Sequence, residues 1–221
     1  MSQSKLKPSA SQETGRIYMI RLILVLFLAS SCSYINYGEL PQVLRTSVFG
    51  VDIKIDQAFY DAQDYSFLKI NIGKSVVAVL VLAEVIDDQY TWISEDNEKI
   101  ITQHGRIVDT YGLTYDASIL DAFNLGPVHQ KNYSDLLRQL RSPEALVHQS
   151  SSIDSIGLDH SYNHLNESAS PALYIENMHT DVLKWKYKNK YWVNLDNGRV
   201  LKSEQFIHPR LPLISLEFHY K

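Results

Sequence analysis

The sequence predicts an all-β, mainly antiparallel domain, arranged as a curled sheet or barrel-like meander with one or two short helices. Apolar and polar residues alternate with a period of two in one segment after another, which is typical of half-buried strands. Pairs such as His104-Gly105 and Asn197-Gly198 separate neighbouring segments, and such pairs favour tight hairpin turns. A long succession of hairpins tends to curl or close, because closure protects the strand edges.

The composition excludes several other classes of protein. The chain has 221 residues, of which 45% are hydrophobic and 21% charged, so it can bury a core and is not disordered. Its net charge is −4, and without a basic cluster we expect no nucleic-acid partner. It has one cysteine, so an internal disulfide and a paired-cysteine metal site are both excluded.

The amino-terminal residues 1–31 are predicted to be a lipoprotein signal peptide. Basic residues precede the apolar run 22–28, and small residues then lead to Cys32, the order found in secretory signals. The run is too short for a transmembrane helix, which needs about 20 residues. We therefore expect the Cys32 thiol to be lipidated, with palmitate among its acyl chains, and to begin the mature protein. Met19 is an alternative start.

The predicted mature protein is a tethered, acidic domain. Cleavage before Cys32 would remove four basic residues and one acidic residue, leaving 190 residues with a charge of −7. Ser33 follows the cysteine, where an aspartate often retains bacterial lipoproteins at the inner membrane. We therefore expect a lipid-anchored protein at the outer membrane that faces the periplasm. Residues 32–41 form the acylated tether in this interpretation, and residues 42–221 form a single antiparallel β domain.

The alternating segments predict the strands in order. A half-buried strand is predicted at 51–56, another at 67–72, and a long β-branched strand, buried on both faces, at 75–85. Further strands are predicted at 90–94, 99–103, 106–110, 184–195, 199–207 and 213–220.

The middle of the chain has a different pattern. A short helix or irregular stretch is predicted near 117–123 and another near 133–141, where leucines are spaced three and four apart. Residues 148–170 are rich in Ser, Asn, Asp and His. They predict a mobile loop or insertion, with a strand inside it left open as an alternative.

Two groups of residues resemble catalytic or metal-binding motifs. His160 and His164 are four residues apart, which on a helix could ligate zinc, but the polar residues between them argue against a helix. The acid pairs Asp87-Asp88 and Glu95-Asp96 fall where turns are expected. We therefore predict a surface loop, no metal, no cofactor and no catalytic residues.

One stretch near the carboxyl end suggests a contact surface. Aromatic rings stack on sugars, and lysines attract anionic polymers. The alternative is a strand with an aromatic core face and a solvated lysine face. The residues predicted for glycan or partner contact are Trp185, Tyr187, Tyr191, Trp192, Lys186 and Lys188.

Three segments together resemble the group 4 capsule polysaccharide lipoprotein family (GfcB/YjbF). They are the signal ending at Cys32, the stretch 92–113 that contains Gly105-Arg106-Ile107, and the stretch 191–205. The chain departs from the family pattern at 125–127, where Leu-Gly-Pro stands in place of the usual Asp-Pro. A role for that acid is therefore not carried over.

The resemblance implies a barrel-like outer-membrane lipoprotein that assists capsule or exopolysaccharide assembly and export. It implies contacts with the polymer or with polysaccharide export proteins, and it supplies no catalytic residues. Two other functions stay open at this point. One is a periplasmic lipid or lipoprotein carrier with an apolar cavity, and the other is a polysaccharide-modifying enzyme that uses a pair of acids.

Overall fold

A computed structural model describes residues 53–74, 76–130, 133–162, 164–165 and 170–221. The predicted signal peptide, Cys32 and the tether at 32–41 lie outside the described residues.

The described chain forms a closed barrel of twelve antiparallel strands. Each strand pairs with its neighbours in sequence, and the last strand pairs with the first to complete the ring. The barrel-like meander predicted from the alternation is therefore confirmed. The strands are β1 (Phe67–Ile72), β2 (Val76–Ile86), β3 (Gln89–Ile93), β4 (Lys99–Gln103), β5 (Arg106–Tyr111), β6 (Ala117–Ile119), β7 (Tyr133–Leu140), β8 (Ala145–Leu158), β9 (Ala172–Thr180), β10 (Trp185–Val193), β11 (Val200–Gln205) and β12 (Ile214–His219).

The hairpin turns form where the sequence predicts them. His104 and Gly105 both have positive φ angles, 49° and 79°, as the tight turn between β4 and β5 requires. Asn197 and Gly198, with φ of 63° and 72°, lie in the connection between β10 and β11. The turn chemistry therefore sets the boundaries of these strands.

The segment before the barrel is a helix instead of the predicted strand. Residues 53–56 are not in a strand, and α1 spans Gln57–Asp61. The Asp56 side chain caps this helix by accepting a hydrogen bond of 2.9 Å from the Phe59 amide. Aspartate favours this capping position, and here it outweighs the alternating pattern. Residues 51–52 lie outside the described part.

Two further predictions in the middle of the chain are only partly right. The stretch near 117–123 holds β6 followed by a short 3₁₀ helix at Ala122–Asn124, whereas the stretch near 133–141 is strand β7 and not a helix. The region 148–170, predicted as a mobile loop, is occupied by β8 as far as Leu158, which agrees with the strand left open as the alternative. Buried polar side chains conceal both long strands, because Arg138 in β7 and Gln149 in β8 lie in the barrel and bond to each other at 2.8 Å.

The long strand β2 forms as predicted, but it is not buried on both faces. Leu80 is its one fully buried residue, whereas Val76 and Ile86 are 49% and 54% exposed. A strand in a closed barrel has only one face toward the interior. The β-branched residues therefore reflect strand propensity more than burial at this position.

Two apolar clusters fill much of the described interior. The larger cluster surrounds Trp92, Tyr191 and Phe218, and the smaller one surrounds Val108, Leu136 and Met178. Within the described residues, α1 is five residues long, and no helix is long and apolar enough to cross a bilayer.

A buried ion pair joins opposite sides of the barrel. The Arg106 guanidinium lies 3.1 Å from Glu176, and both side chains are almost fully buried. The other carboxylate oxygen of Glu176 accepts hydrogen bonds from Tyr191 at 2.8 Å and Asn189 at 3.2 Å. Arg106 also donates to the Gly126 carbonyl at 2.8 Å. The charge is thus paired and hydrogen-bonded, as a buried charge requires.

A glutamine completes this network by bridging two strands that are not neighbours. The Gln205 carbonyl accepts from the Ile107 amide at 2.9 Å, and its NH₂ group donates to the Gly105 carbonyl at 2.8 Å. Gln205 lies in β11, while Gly105 and Ile107 lie at the start of β5. Strands β5 and β11 therefore approach each other closely enough here for the Gln205 side chain to bridge them.

The close approach of the two sides depends on Gly105. A Cβ atom there would lie 2.6 Å from the Val200 side chain, and the φ angle is +79°. We expect Gly105→Ala to lower the free energy of unfolding by about 2 to 5 kcal/mol, since strain and overpacking add. Gly198→Ala is the matched control, because Gly198 has a similar φ of +72° but an added Cβ would meet no atom within 4 Å. It should lower the free energy of unfolding by about 1 to 2 kcal/mol. Urea denaturation measures both, and equal losses would contradict the packing argument.

The ion pair gives a second prediction. Glu176→Gln keeps the shape of the side chain but leaves Arg106 as an uncompensated buried charge, so we expect a loss of about 3 to 5 kcal/mol. Lys190→Ala removes an ion pair of 3.2 Å whose lysine is half exposed, and it should cost about 1 kcal/mol or less. The comparison again uses urea denaturation. Similar values for the two variants would show that Arg106 is not held by Glu176.

Candidate functional site

The lysine-aromatic stretch is strand β10, and its two faces differ. Tyr187 and Tyr191 are buried in the barrel, whereas Lys186, Lys188 and Lys190 are exposed on its outer face. This placement matches the alternative stated above, a core face of aromatics with a solvated face of lysines.

The aromatic rings of the predicted contact are largely covered. Tyr191 has no exposed surface, and its hydroxyl is bonded to Glu176. Trp192 is 6% exposed, and its indole N–H donates to Asp159 at 2.7 Å. Half-buried Trp185 stacks on Tyr187 with 4.0 Å between ring centroids. Tyr187, Tyr191 and Trp192 are therefore not free to stack on a sugar in this structure. Contact of a glycan or partner with the exposed lysines of β10 stays a prediction.

The exposed lysines border an open depression of about 410 Å³ on the outer face of β8, β9 and β10. Strand register places three residues side by side in each row, such as Ser152, Asn177 and Lys188. The residues that line the depression are Ser150, Ser151, Ser152, Asn177, Met178, His179, Lys186, Tyr187 and Lys188. The serine hydroxyls, the Asn177 amide and the lysine ammonium groups supply hydrogen-bond donors to a lining that also contains Met178 and Tyr187.

The charges of the two lysines in the depression are not neutralised. Among the residues that the structure describes, neither Lys186 nor Lys188 has an acidic group within ion-pairing distance. Lys190, one position further along the same face, pairs with Glu204 at 3.2 Å. Glu204 is also 2.9 Å from Lys202, and although burial acts in the opposite direction, the two lysines lower the pKa of Glu204 below its ordinary value.

Acidic residues also contact the rim of the depression. Asn177 donates a hydrogen bond of 2.8 Å to Asp154, and the His179 ring lies 2.8 Å from Asp181. These bonds fix the orientation of two of the lining side chains. The positive charge is therefore confined to the β10 side.

A hydrogen-bonded floor supports the depression. The Gln149 amide donates to the Tyr187 hydroxyl at 3.0 Å, and Gln149 in turn accepts from Arg138 at 2.8 Å. Burial raises the pKa of Tyr187, so it stays protonated and neutral. These bonds hold in place the strand positions between which the two exposed lysines lie.

The structure places the remaining sequence motifs in ordinary roles. Asp87 and Asp88 have φ angles of 47° and 65° in the β2–β3 turn. His160 accepts or donates a bond of 3.0 Å with Ser170, and His164 lies against His219 instead of His160. The acids and the histidine pair thus do not assemble the sites that their spacing resembled.

Sequence reasoning missed the β8 and β9 side of the depression. Ser150, Ser152, Asn177 and His179 line it, yet β8 was expected to be a loop and β9 was not predicted. The weak signal that could have revealed β8 is the alternation of Leu146, His148 and Ser150 with Val147 and Gln149, of which the latter two are buried.

Comparison with known proteins connects this barrel to a family. Residues 42–218 match the family model described as "Group 4 capsule polysaccharide lipoprotein gfcB, YjbF". Two curated proteins of Escherichia coli K12 are similar over most of their length. The "Uncharacterized lipoprotein YjbF" is 26% identical over 212 residues, covering 84% of this chain and 90% of the relative. The "Uncharacterized lipoprotein GfcB" is 26% identical over 202 residues, covering 86% and 91%.

A solved structure shares the fold. The crystal structure of the hypothetical lipoprotein YmcC from Escherichia coli K12 aligns with a TM-score of 0.66, covering 81% of this chain and 94% of that one. The sequence identity is 20%, so the likeness concerns the barrel and not the chemistry of its surface.

Proposed function

The chain belongs to the group 4 capsule polysaccharide lipoprotein family, and from that premise we propose that it assists capsule or exopolysaccharide assembly and export at the outer membrane. In this proposal it faces the periplasm, catalyses no reaction and acts by contact with the polymer or with polysaccharide export proteins. The observation that carries the contact is the pair of lysines in the depression, Lys186 and Lys188, neither of which has an ion-pair partner among the described residues.

The chemistry of the depression suits a hydrated, anionic polymer. Serine hydroxyls, the Asn177 amide and two ammonium groups can replace water around hydroxyls and carboxylates of a sugar chain. The chain as a whole is acidic, so a local positive surface would also set the orientation of approach.

The described interior supports contact on the outer face over a carrier function. Trp92, Tyr191 and Phe218 are fully or almost fully buried within the barrel, and the Arg106–Glu176 network crosses it. A lipid carrier would need an apolar space where these side chains lie. The two acid pairs in turns likewise favour a non-catalytic function.

The anchor gives the first prediction of the proposed function. Cys32→Ala removes the thiol that would accept lipid, and the chain has no other cysteine. We expect no incorporation of a palmitate analogue and loss of the protein from membrane fractions, since several acyl chains are what make such anchors stable. Ser33→Asp is the matched control, which should keep the label but move the protein toward the inner membrane. Labelling of the Cys32→Ala variant would contradict the anchor.

The depression gives the second prediction of the proposed function. Removing two exposed lysines should leave stability within about 0.5 kcal/mol, so Lys186→Ala/Lys188→Ala tests contact and not folding. We expect this variant to bind the purified acidic polysaccharide of the producing strain at least about tenfold more weakly, a loss of about 1.4 kcal/mol or more. Lys190→Ala, on the same strand and face but paired with Glu204, should bind like the wild type. Binding is measured by interferometry at physiological salt, because charge contacts weaken with salt.

The same variants can be tested in cells. Deletion of the gene should reduce the surface polysaccharide, and Lys190→Ala should restore it more fully than the double variant does. Unchanged polysaccharide after deletion would overturn the proposed function. Restoration by the double variant to the wild-type amount would leave the capsule function standing but would remove the depression from it.

A further inference from the structure

A second group of side chains lies on the outer face of the barrel, apart from the lysine depression. Glu217 and His219 alternate along β12 with the inward-facing residues, and His164, in the connection that follows β8, lies beside them. One ligand atom from each of the three side chains can be chosen so that all lie within 4.8 Å of one another. Two histidines and one carboxylate are the ligand set of many zinc sites.

The His219 ring is held in a stack of rings. It lies between Phe67, at 4.7 Å between ring centroids, and His164, at 4.9 Å. Tyr60, next to Phe59 in α1, packs against its edge at 6.2 Å. Because His219 has no exposed surface, its polar atoms need partners within the protein.

The hydrogen bond of His164 leaves a free lone pair. Its Nδ1 lies 2.8 Å from the Leu165 carbonyl oxygen, which can only accept, so Nδ1 carries the proton and Nε2 does not. That Nε2 is buried and has no hydrogen-bond partner. Metal-binding histidines commonly donate their other ring N–H to a carbonyl in this way, which fixes the tautomer and the ring.

His219 presents the same unsatisfied chemistry. Both of its ring nitrogens are buried without a hydrogen-bond partner, and Nε2 lies 3.7 Å from a Glu217 carboxylate oxygen. Burial, with the nearby His164 and Lys69, lowers the pKa of His219 to about 3. Leaving buried polar atoms unpaired is unfavourable, and a bound metal would offset that cost.

We propose that His164, Glu217 and His219 form a binding site for a divalent transition metal of the zinc class. Three protein ligands leave the fourth tetrahedral position for water or for a group of a partner. Glu217 is about one-third exposed, so the site can be reached from the solvent.

The geometry requires only a small closure. Zinc bonds of about 2.0 to 2.2 Å place tetrahedral ligands about 3.3 Å apart, close to the 3.7 Å between His219 and Glu217. The imidazole rings would have to turn from their present stack, with 27° between the ring planes, and histidine χ2 torsions are soft. Lys69 and Lys202 are the register partners of Glu217 on the two neighbouring strands, and Lys202 is ion-paired with Glu204 at 2.9 Å.

Such a site would fasten the segment after β8 to the barrel wall. The segment already contacts the wall through Asp159, which bonds Trp192, and Tyr162, whose ring lies 5.8 Å from the same tryptophan. A metal would add a link between His164 and the last strand. Metal that binds the folded state should stabilise it by an amount that increases with the logarithm of the free metal concentration.

The test measures zinc binding by the full-length protein, prepared without a histidine tag. Competition with a chromogenic chelator gives the affinity and stoichiometry, and Co²⁺ absorption reports a tetrahedral environment. We expect one zinc per chain, and binding at least about tenfold weaker in His164→Ala and in Glu217→Gln. His160→Ala removes an exposed histidine of the same segment, bonded to Ser170, and should bind zinc like the wild type.

Thermal unfolding supplies a second readout. Zinc should raise the Tm of the wild type and of His160→Ala, but not that of His164→Ala, whose unliganded Tm shows whether the variant is folded. The proposal is overturned if the wild type takes up no stoichiometric zinc. It is also overturned if His164→Ala binds zinc as tightly as His160→Ala does.

Discussion

The buried pair of Arg106 and Glu176 is the interaction on which the shape of this barrel depends. Eight strands already enclose a space that side chains can just fill, and the diameter grows with the number of strands. A round barrel of twelve strands would therefore leave room at its centre. Here the two sides approach until Gln205 spans them, and the ion pair lies where they meet. Removing two charges from water is costly, and the cost is offset here because nearly every donor and acceptor around them has a partner.

The residues that reveal the family are largely those of this network. Gly105, Arg106 and Ile107 belong to one matching segment, and Tyr191 and Gln205 belong to another. In the folded chain the two segments contact each other inside the barrel. The segments that carry the family resemblance therefore include the residues that hold the two sides of this barrel together. Even the departure at 125–127 fits, because Arg106 is bonded to the Gly126 backbone carbonyl, which does not depend on the side chain there.

Turn chemistry and alternation predict most of the fold. Strand β1 and the hairpin at Gly105 follow directly from residues that allow few other conformations. Strands β7 and β8 could not be predicted in the same way, because Arg138 and Gln149 satisfy each other across the strands and read as surface residues in sequence. Only the β10 side of the candidate site was predicted from the sequence. Lys186 and Lys188 stand out in the sequence, whereas the residues that complete the depression belong to β8, which polar residues concealed, and to β9, which was not predicted.

The pairing of the first strand with the last has a consequence for how the chain reaches its native state. Leu68 pairs with Phe218 between these two strands, so the ring closes only when the two ends of the domain come together. Contacts between residues far apart in the sequence slow folding, because the intervening chain loses conformational entropy before the contact stabilises the fold. Until β12 has been synthesised, β1 and β11 remain open edges that can pair with other chains. The folded barrel therefore forms only once β12 is in place. A chain that ends before β12 would leave the edges of β1 and β11 unpaired and would be prone to aggregate.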